Sequence, residues 1–188
     1  GFLPTLATFC PSVLGVDTAP EGLHTLYVSP LKALAHDVQR NLLTPIEEMG
    51  LPIRVEARSG DTPSDRKKRQ RHRPPHILLT TPESLSLLLS YPESVVLFST
   101  LKRVVVDEVH AFATGKRGDL LALSLARLQA LAPEMQRVAL SATLADPDGF
   151  RSWLAPGEAR EAEAAAGAPP RDVVLVQGEK GAEPVLDI

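Results

Sequence analysis

Short apolar runs alternate along this chain with longer stretches whose apolar residues recur at helical spacing. The alternation predicts βαβ units, and so an α/β fold built on a mainly parallel sheet with helices on its faces. The run 104–106 is the most telling: three valines after Arg103 read as a strand buried on both faces. Further strands are predicted over 24–28, 52–57, 76–80 and 136–140. Leu31, Leu34, Val38, Leu42 and Ile46 mark one face of a helix over 31–49, closed by Gly50. Other helices are predicted over 63–71, stopped by Pro74 and Pro75, over 82–89 with Pro82 in its first turn, over 119–131 and over 148–154. Residues 2–9 read as the end of one more. Beyond Pro156 the pattern lapses. Residues 157–170 are rich in Ala, Glu and Gly with no consistent apolar face, and 172–176 and 185–188 read as short strands. The expected organisation is a domain over 1–155, a connector over 156–171 and strands over 172–188.

Polar residues gather where the strands end. Asp107 and Glu108 follow the valine run, with His110 two residues on; Ser141, Ala142 and Thr143 follow the strand over 136–140. In a pair of acids at such a place, one can hold Mg²⁺ through its water shell while its neighbour orients an attacking water. The plain alternatives are a solvated turn for Asp-Glu and a helix cap for Ser-Ala-Thr ahead of Asp146-Pro147. Three more strand ends carry hydroxyls, charges and prolines: Ser29-Pro30-Leu31-Lys32, Arg58-Ser59-Gly60-Asp61 and Thr81-Pro82-Glu83. A helix N-terminus with a hydroxyl and a lysine suits a phosphate, Gly60 permits a tight turn, and Arg58 could pair with a phosphate. Ordinary capping explains the same residues and stays open. In a parallel sheet all of these ends share one edge, where open α/β sheets bind their ligands.

Composition narrows the partners. The net charge of −3 gives no overall attraction to nucleic acid, so any such site depends on local clustering. The run 66–73 packs six formal positive charges into eight residues: a solvated helix face, or a patch that steers a phosphate backbone. No aromatics interleave it, which argues against base stacking there. His72 and His76 straddle Pro74 and Pro75, so they do not form a metal pair. The single cysteine, Cys10, excludes an internal disulfide and fits a reducing compartment. No apolar run reaches the roughly 18 residues of a membrane span and the N-terminus lacks a basic signal start, so a cytoplasmic protein is expected.

The strand ending in Asp107-Glu108-Val109-His110, followed by the strand ending in Ser141-Ala142-Thr143, resembles motifs II and III of the superfamily 2 helicases. The segments Ser29 to Ala35, Ser59 to Thr62 and Thr80 to Leu85 resemble motif Ia, a glycine-containing loop and motif Ib. With Lys116-Arg117-Gly118 they narrow the likeness to the Lhr-type helicases, closest to their ligase-associated DEXH-box branch, over 1–154. The resemblance implies a three-layer RecA-like fold. It implies ATP and Mg²⁺, with Asp107 holding the metal through water, Glu108 placing the hydrolytic water, and His110, Ser141, Ala142 and Thr143 coupling the nucleotide to the nucleic acid. It implies a single-stranded DNA track along Ser29, Pro30, Leu31, Lys32, Arg58, Gly60, Asp61, Thr81, Pro82 and Glu83. It further implies a second RecA-like domain, DNA repair, and a DNA ligase as a partner. No G-x-x-x-x-G-K-[S/T] phosphate loop occurs in the 188 residues; Gly115-Lys116 lacks the first glycine and the hydroxyl. The expectation is a first RecA-like domain truncated at its N-terminal end, inactive by itself. The rivals are a nucleic-acid-binding module without catalysis and a P-loop ATPase that is not a helicase, and RNA remains open as a substrate.

Overall fold

The sheet is parallel throughout, as the alternation predicts. The computed structural model describes residues 3–9, 21–112, 115–143, 146–155 and 173–176. The chain divides into two compact units, Gly1–Ala145 and Asp146–Ile188. In the first unit the elements run α1 (Leu3–Thr8), β1 (Thr25–Val28), α2 (Lys32–Glu48), β2 (Val55–Arg58), α3 (Ser64–His72), β3 (Ile77–Thr80), α4 (Pro82–Ser90) and α5 (Ser94–Phe98). They continue with β4 (Arg103–Val106), a 3-10 helix (Val109–Phe112), α6 (Lys116–Leu131) and β5 (Gln136–Ala139). The five strands lie in the order β2-β3-β1-β4-β5. Their register places Arg58, Thr80, Val28, Val106 and Ala139 in one row, so every strand stops at the same level.

The pleat assigns the faces. Tyr27, Val55, Ala57, Ile77, Leu79 and Val105 point to one side, where Ala35, Leu42 and Ile46 of α2 and Leu6 of α1 complete a buried cluster. Alternate residues Leu26, Leu78, Val104 and Val106 are equally buried on the other side, and α4 and α6 pack against each other. Burial on both faces is why the strands are continuous apolar runs. The two edge strands are the exceptions: β2 alternates Val55 and Ala57 with Glu56 and Arg58, and β5 is exposed at Gln136 and half-buried from there to Ala139. Helix α1 is pinned by its polar residue: Arg103 donates to Thr5 Oγ1 at 2.8 Å.

Several boundaries differ from the sequence reading for local reasons. β2 starts at Val55 rather than 52, because Pro52 has no N–H for the ladder and Ile53 N–H turns back to Leu51 O at 2.8 Å. α6 starts one turn earlier than expected, launched by Gly115 at φ 98°. Helix α5 and the 3-10 helix are too short to leave a periodic signal. In the second unit, α7 (Pro147–Leu154) is capped by Asp146, whose Oδ1 accepts from Gly149 N–H at 2.9 Å. Residues 173–176, expected within a strand, form no ladder: Val174 and Val176 are exposed, and the described contact is Arg151 Nε donating to Val173 O at 2.9 Å. The strand expected over 185–188 and the connector over 156–171 lie outside the described residues, as does Cys10.

Candidate active site and nucleic-acid interface

Because the strands end in one row, every residue singled out at a strand end lies along one edge of the sheet. Asp107 leaves β4 on the same face as Tyr27, two residues beyond Tyr27's register partner Val105. The Tyr27 hydroxyl donates to Asp107 Oδ2. Burial, then this hydrogen bond and the charges of Asp107 and Glu108, push the Tyr27 phenol well above its usual range, so it stays a donor. The backbone fixes Asp107 as well, its N–H reaching Val28 O at 2.9 Å.

Glu108 sits at φ 48°, in the left-handed region. For a glutamate that conformation costs about 1–3 kcal/mol and marks a position held by its surroundings. Its Oε2 is buried and accepts no hydrogen bond; His110 Nδ1 is 3.3 Å away.

The two segments that resemble motifs II and III meet directly. Val109 N–H donates to Leu140 O at 2.9 Å, and His110 Nδ1 lies 2.9 Å from Ser141 Oγ. Ser141 gives its own proton to Thr143 O at 2.6 Å, so the Ser141 oxygen accepts from an Nδ1–H of His110. That N–H therefore stands between Ser141 Oγ and Glu108 Oε2. The side chain of Ala142 is exposed beside them.

Across the edge, Ser29 N–H bonds Thr80 O at 3.0 Å and Ser29 Oγ bonds Leu31 O at 3.2 Å. Thr81 caps α4, its Oγ1 accepting from Ser84 N–H at 3.5 Å, with Pro82 in the first turn. The loop after β2 is closed by Ser59 N–H to Thr62 Oγ1 at 2.9 Å. Gly60 there has no positive φ, and a Cβ would meet nothing within 4 Å, so the turn does not demand the glycine that the sequence reading assigned to it. Lys32 and Asp61, singled out separately, are joined as an exposed ion pair.

Arg58 is the clearest departure. Only 2% exposed, it lies inward under α3, donating to Lys67 O at 2.9 Å and Gln70 Oε1 at 3.4 Å. Burial, then the charge of Arg71, lower its hold on its proton. The pleat is the reason: Arg58 ends β2 pointing to the face α3 covers, whereas Ser59 and Gly60 beyond it reach the edge. The phosphate role expected of Arg58 meets a side chain committed to packing. Two residues that reasoning from sequence did not assign to the site are Tyr27 and Arg117. Tyr27 could be found from period-two spacing, once β1 and β4 are known to pair. Arg117 joins two segments far apart in sequence: its Nε donates to Glu83 Oε1 at 2.6 Å and its Nη2 to Pro30 O at 2.7 Å.

Residues 5–149 match the family model described as DEAD/DEAH box helicase. The chain is 50% identical over 132 residues to "ATP-dependent helicase Lhr-Core protein 2" of Thermococcus barophilus, covering 65% of this chain and 15% of that protein. It is 49% identical over 145 residues to "Lhr helicase/ probable uracil glycosylase" of Mycolicibacterium smegmatis, covering 71% of this chain and 10% of that one. The solved structure of Mycobacterium smegmatis helicase Lhr bound to ssDNA and AMP-PNP superposes with a TM-score of 0.67 at 45% identity, over 81% of this chain and 21% of that one. The DUF1998 helicase MrfA bound to DNA and AMPPNP gives a TM-score of 0.62 at 30% identity, over 70% of this chain and 19% of that one. The chain thus spans a minor part of each relative. The fold is that of a RecA-like helicase domain, and the chain belongs to the DEAD/DEAH box helicase family.

Proposed function

We propose that this chain supplies the acid-bearing and DNA-facing edge of an ATP-dependent DNA helicase or translocase acting on single-stranded DNA, in a DNA-repair setting. The observation that carries the reading is the direct junction of the two motif segments through His110 and Ser141, on the edge shared by the three loop segments. Relatives named as ATP-dependent helicases, and structures holding DNA with AMP-PNP, support it.

The residues present fit one half of a Mg²⁺–ATP site. Asp107 would hold Mg²⁺ through water, oriented by Tyr27, and the Glu108 carboxylate would position the hydrolytic water. Bound Mg²⁺–ATP supplies the phosphoryl bond whose cleavage drives the motor. His110 is placed to sense the state of Glu108 and relay it to Ser141 and Thr143. Ser29, Pro30, Leu31, Lys32, Gly60, Asp61, Thr81, Pro82 and Glu83 line the edge as the DNA track, with exposed Lys32 meeting phosphates, the Ser29 and Thr81 hydroxyls shaping the loops and Arg58 bracing β2 from within. The other half, a phosphate loop, is not among these 188 residues, so the chain by itself turns over no ATP. The remaining partners of the reading are a second RecA-like domain and a DNA ligase. Among the described residues no helix is long and apolar enough to cross a membrane, and a cytoplasmic site of action is part of the proposal.

The test compares single-stranded-DNA-stimulated ATP hydrolysis by this chain with a chimera in which residues 5–149 replace the matching segment of the Mycolicibacterium relative. The chain alone should not exceed its Glu108→Gln variant. The chimera should hydrolyse ATP in response to oligo(dT), and Glu108→Gln should lower that by about 100-fold or more. A folded chimera without DNA stimulation sinks the helicase reading; stimulation by oligo(U) but not oligo(dT) sinks the choice of DNA. The lack of a phosphate loop favours a second reading, a binding module without turnover. It predicts a chimera that binds DNA with no ATP hydrolysis.

A further inference from the structure

The proposal that this edge holds a DNA backbone leaves open what keeps its loops in line, since the strands fix only their last backbone atoms. Pro30 follows β1 and Glu83 follows β3, and one side chain bonds both. We propose that Arg117 is a positioning residue that clamps the Ser29–Pro30 loop to the N-terminus of α4 and ties both to the Asp107–Glu108 segment. It does so without touching DNA.

Three observations converge on this. The guanidinium divides its donors between a carboxylate and a backbone carbonyl, a fork that the point charge of lysine does not reproduce. Burial favours the neutral form of Glu83, but the hydrogen bond from Arg117 and Glu83's own backbone N–H outweigh it, leaving the carboxyl below its usual range. The Glu83 carboxyl is thereby held toward its charged form, the better acceptor for the fork. The anchor behind Arg117 is also stiff. A Cβ on neighbouring Gly118 would lie 2.2 Å from Phe112 O, so the first turn of α6 sits directly against the 3-10 helix that continues from Glu108. Any shift of that helix carries Arg117, and through it both loops. This path is separate from the one through His110 and Ser141, which leads to the end of β5.

The experiment is fluorescence-polarisation binding of labelled oligo(dT) to the 188-residue chain across a salt series. The variants are Arg117→Ala, Arg117→Lys, Glu83→Ala and the Arg117→Ala/Glu83→Ala double. Loss of a clamp predicts binding weakened by about tenfold for Arg117→Ala, Arg117→Lys and Glu83→Ala alike, with the double no worse than either single. The slope of log affinity against log salt should not change. Three outcomes would overturn the proposal: unchanged binding in Arg117→Ala, tighter binding in Glu83→Ala, or a salt slope reduced by about 0.7 in Arg117→Ala, the mark of a lost phosphate contact. If Arg117→Ala fails to fold, Glu83→Gln, which keeps size and removes charge, carries the same comparison. Failure of the unaltered chain to bind oligo(dT) at low salt removes the DNA-edge reading and the clamp with it. Normal binding that is indifferent to Arg117 removes the clamp alone.

Discussion

Tyr27 illustrates how a residue with no chemistry of its own can govern one that has. Its ring is 2% exposed and its hydroxyl ends on Asp107. Hydrogen bonds to a charged acceptor contribute about 1.5–3 kcal/mol, less where water can replace the donor, and Asp107 is only half-buried. Tyr27→Phe should therefore lower the unfolding free energy by about 1–2 kcal/mol in urea titrations. The Tyr27→Phe/Asp107→Asn double should lose less than the two singles combined. Strict additivity would mean that the hydroxyl and the carboxylate do not act as a pair. Glu108 is legible in the sequence as an acid but not as a strained one. Its φ of 48° is set by the turn that brings Val109 N–H to Leu140 O, a contact between segments far apart in the chain. Arg58 misleads for the complementary reason: a cation beside a loop looks like a ligand for phosphate until the pleat decides which way it points.

At the scale of elements, α3 shows how a charge run is divided by its neighbours. Of its cations, Arg69 meets Glu56 through two contacts of 2.8 and 2.9 Å, and Lys67 donates to Gly60 O at 2.7 Å. Arg71 lies over the Tyr91 ring at 4.2 Å, near Glu93. Arg66 and Lys68, and Arg73 just past the helix, are exposed, and among the described residues none of them is in an ion pair, which fits both the steering patch and the solvated face. Helix α6 offers a sharper test. Replacing a glycine inside a helix with alanine ordinarily gains up to about 1 kcal/mol. At Gly118 the added methyl would meet the Phe112 carbonyl at 2.2 Å, and backbone cannot yield as a side chain does. Gly118→Ala should therefore lower stability by about 1–3 kcal/mol, seen as a lower Tm. A raised Tm would show that the first turn of α6 has room to shift.

For the molecule as a whole, pH reports on the packing around the N-terminal ends of the strands. His76 is 2% exposed, and its Nδ1 accepts Arg54 N–H at 3.0 Å, which requires a neutral ring. Burial first, then the charges of Arg54 and His24, bring its pKa down to about 4 from 6.5. Beside it His24 is also lowered, by burial and then by Arg103 and Lys102. Both groups bind protons more readily when unfolded. The stability they lend is complete above pH 6.5 and is lost as pH falls toward the folded values. For His76 the slope approaches about 1.4 kcal/mol per pH unit between the two values, and His24 adds to it in the same direction. Urea titrations at pH 7 and pH 5 should show this fall, and His76→Gln should flatten it; an unchanged slope would place the proton elsewhere.

The alternation of strands and helices, the doubly buried valine strand and the chemistry at each strand end are all local properties of the chain. Each of these is written in neighbouring residues, through period, capping and turn preference. The sequence also carried the family, because the motif residues stand in order. The strand order, and with it which ends lie side by side, came from the folded chain. Folding alone turned Arg58 inward, joined Lys32 to Asp61, placed Tyr27 on Asp107, and let Arg117 bridge Pro30 and Glu83. Those pairings span separations that no local pattern encodes, since they arise when parallel strands align their ends and the pleat picks a face.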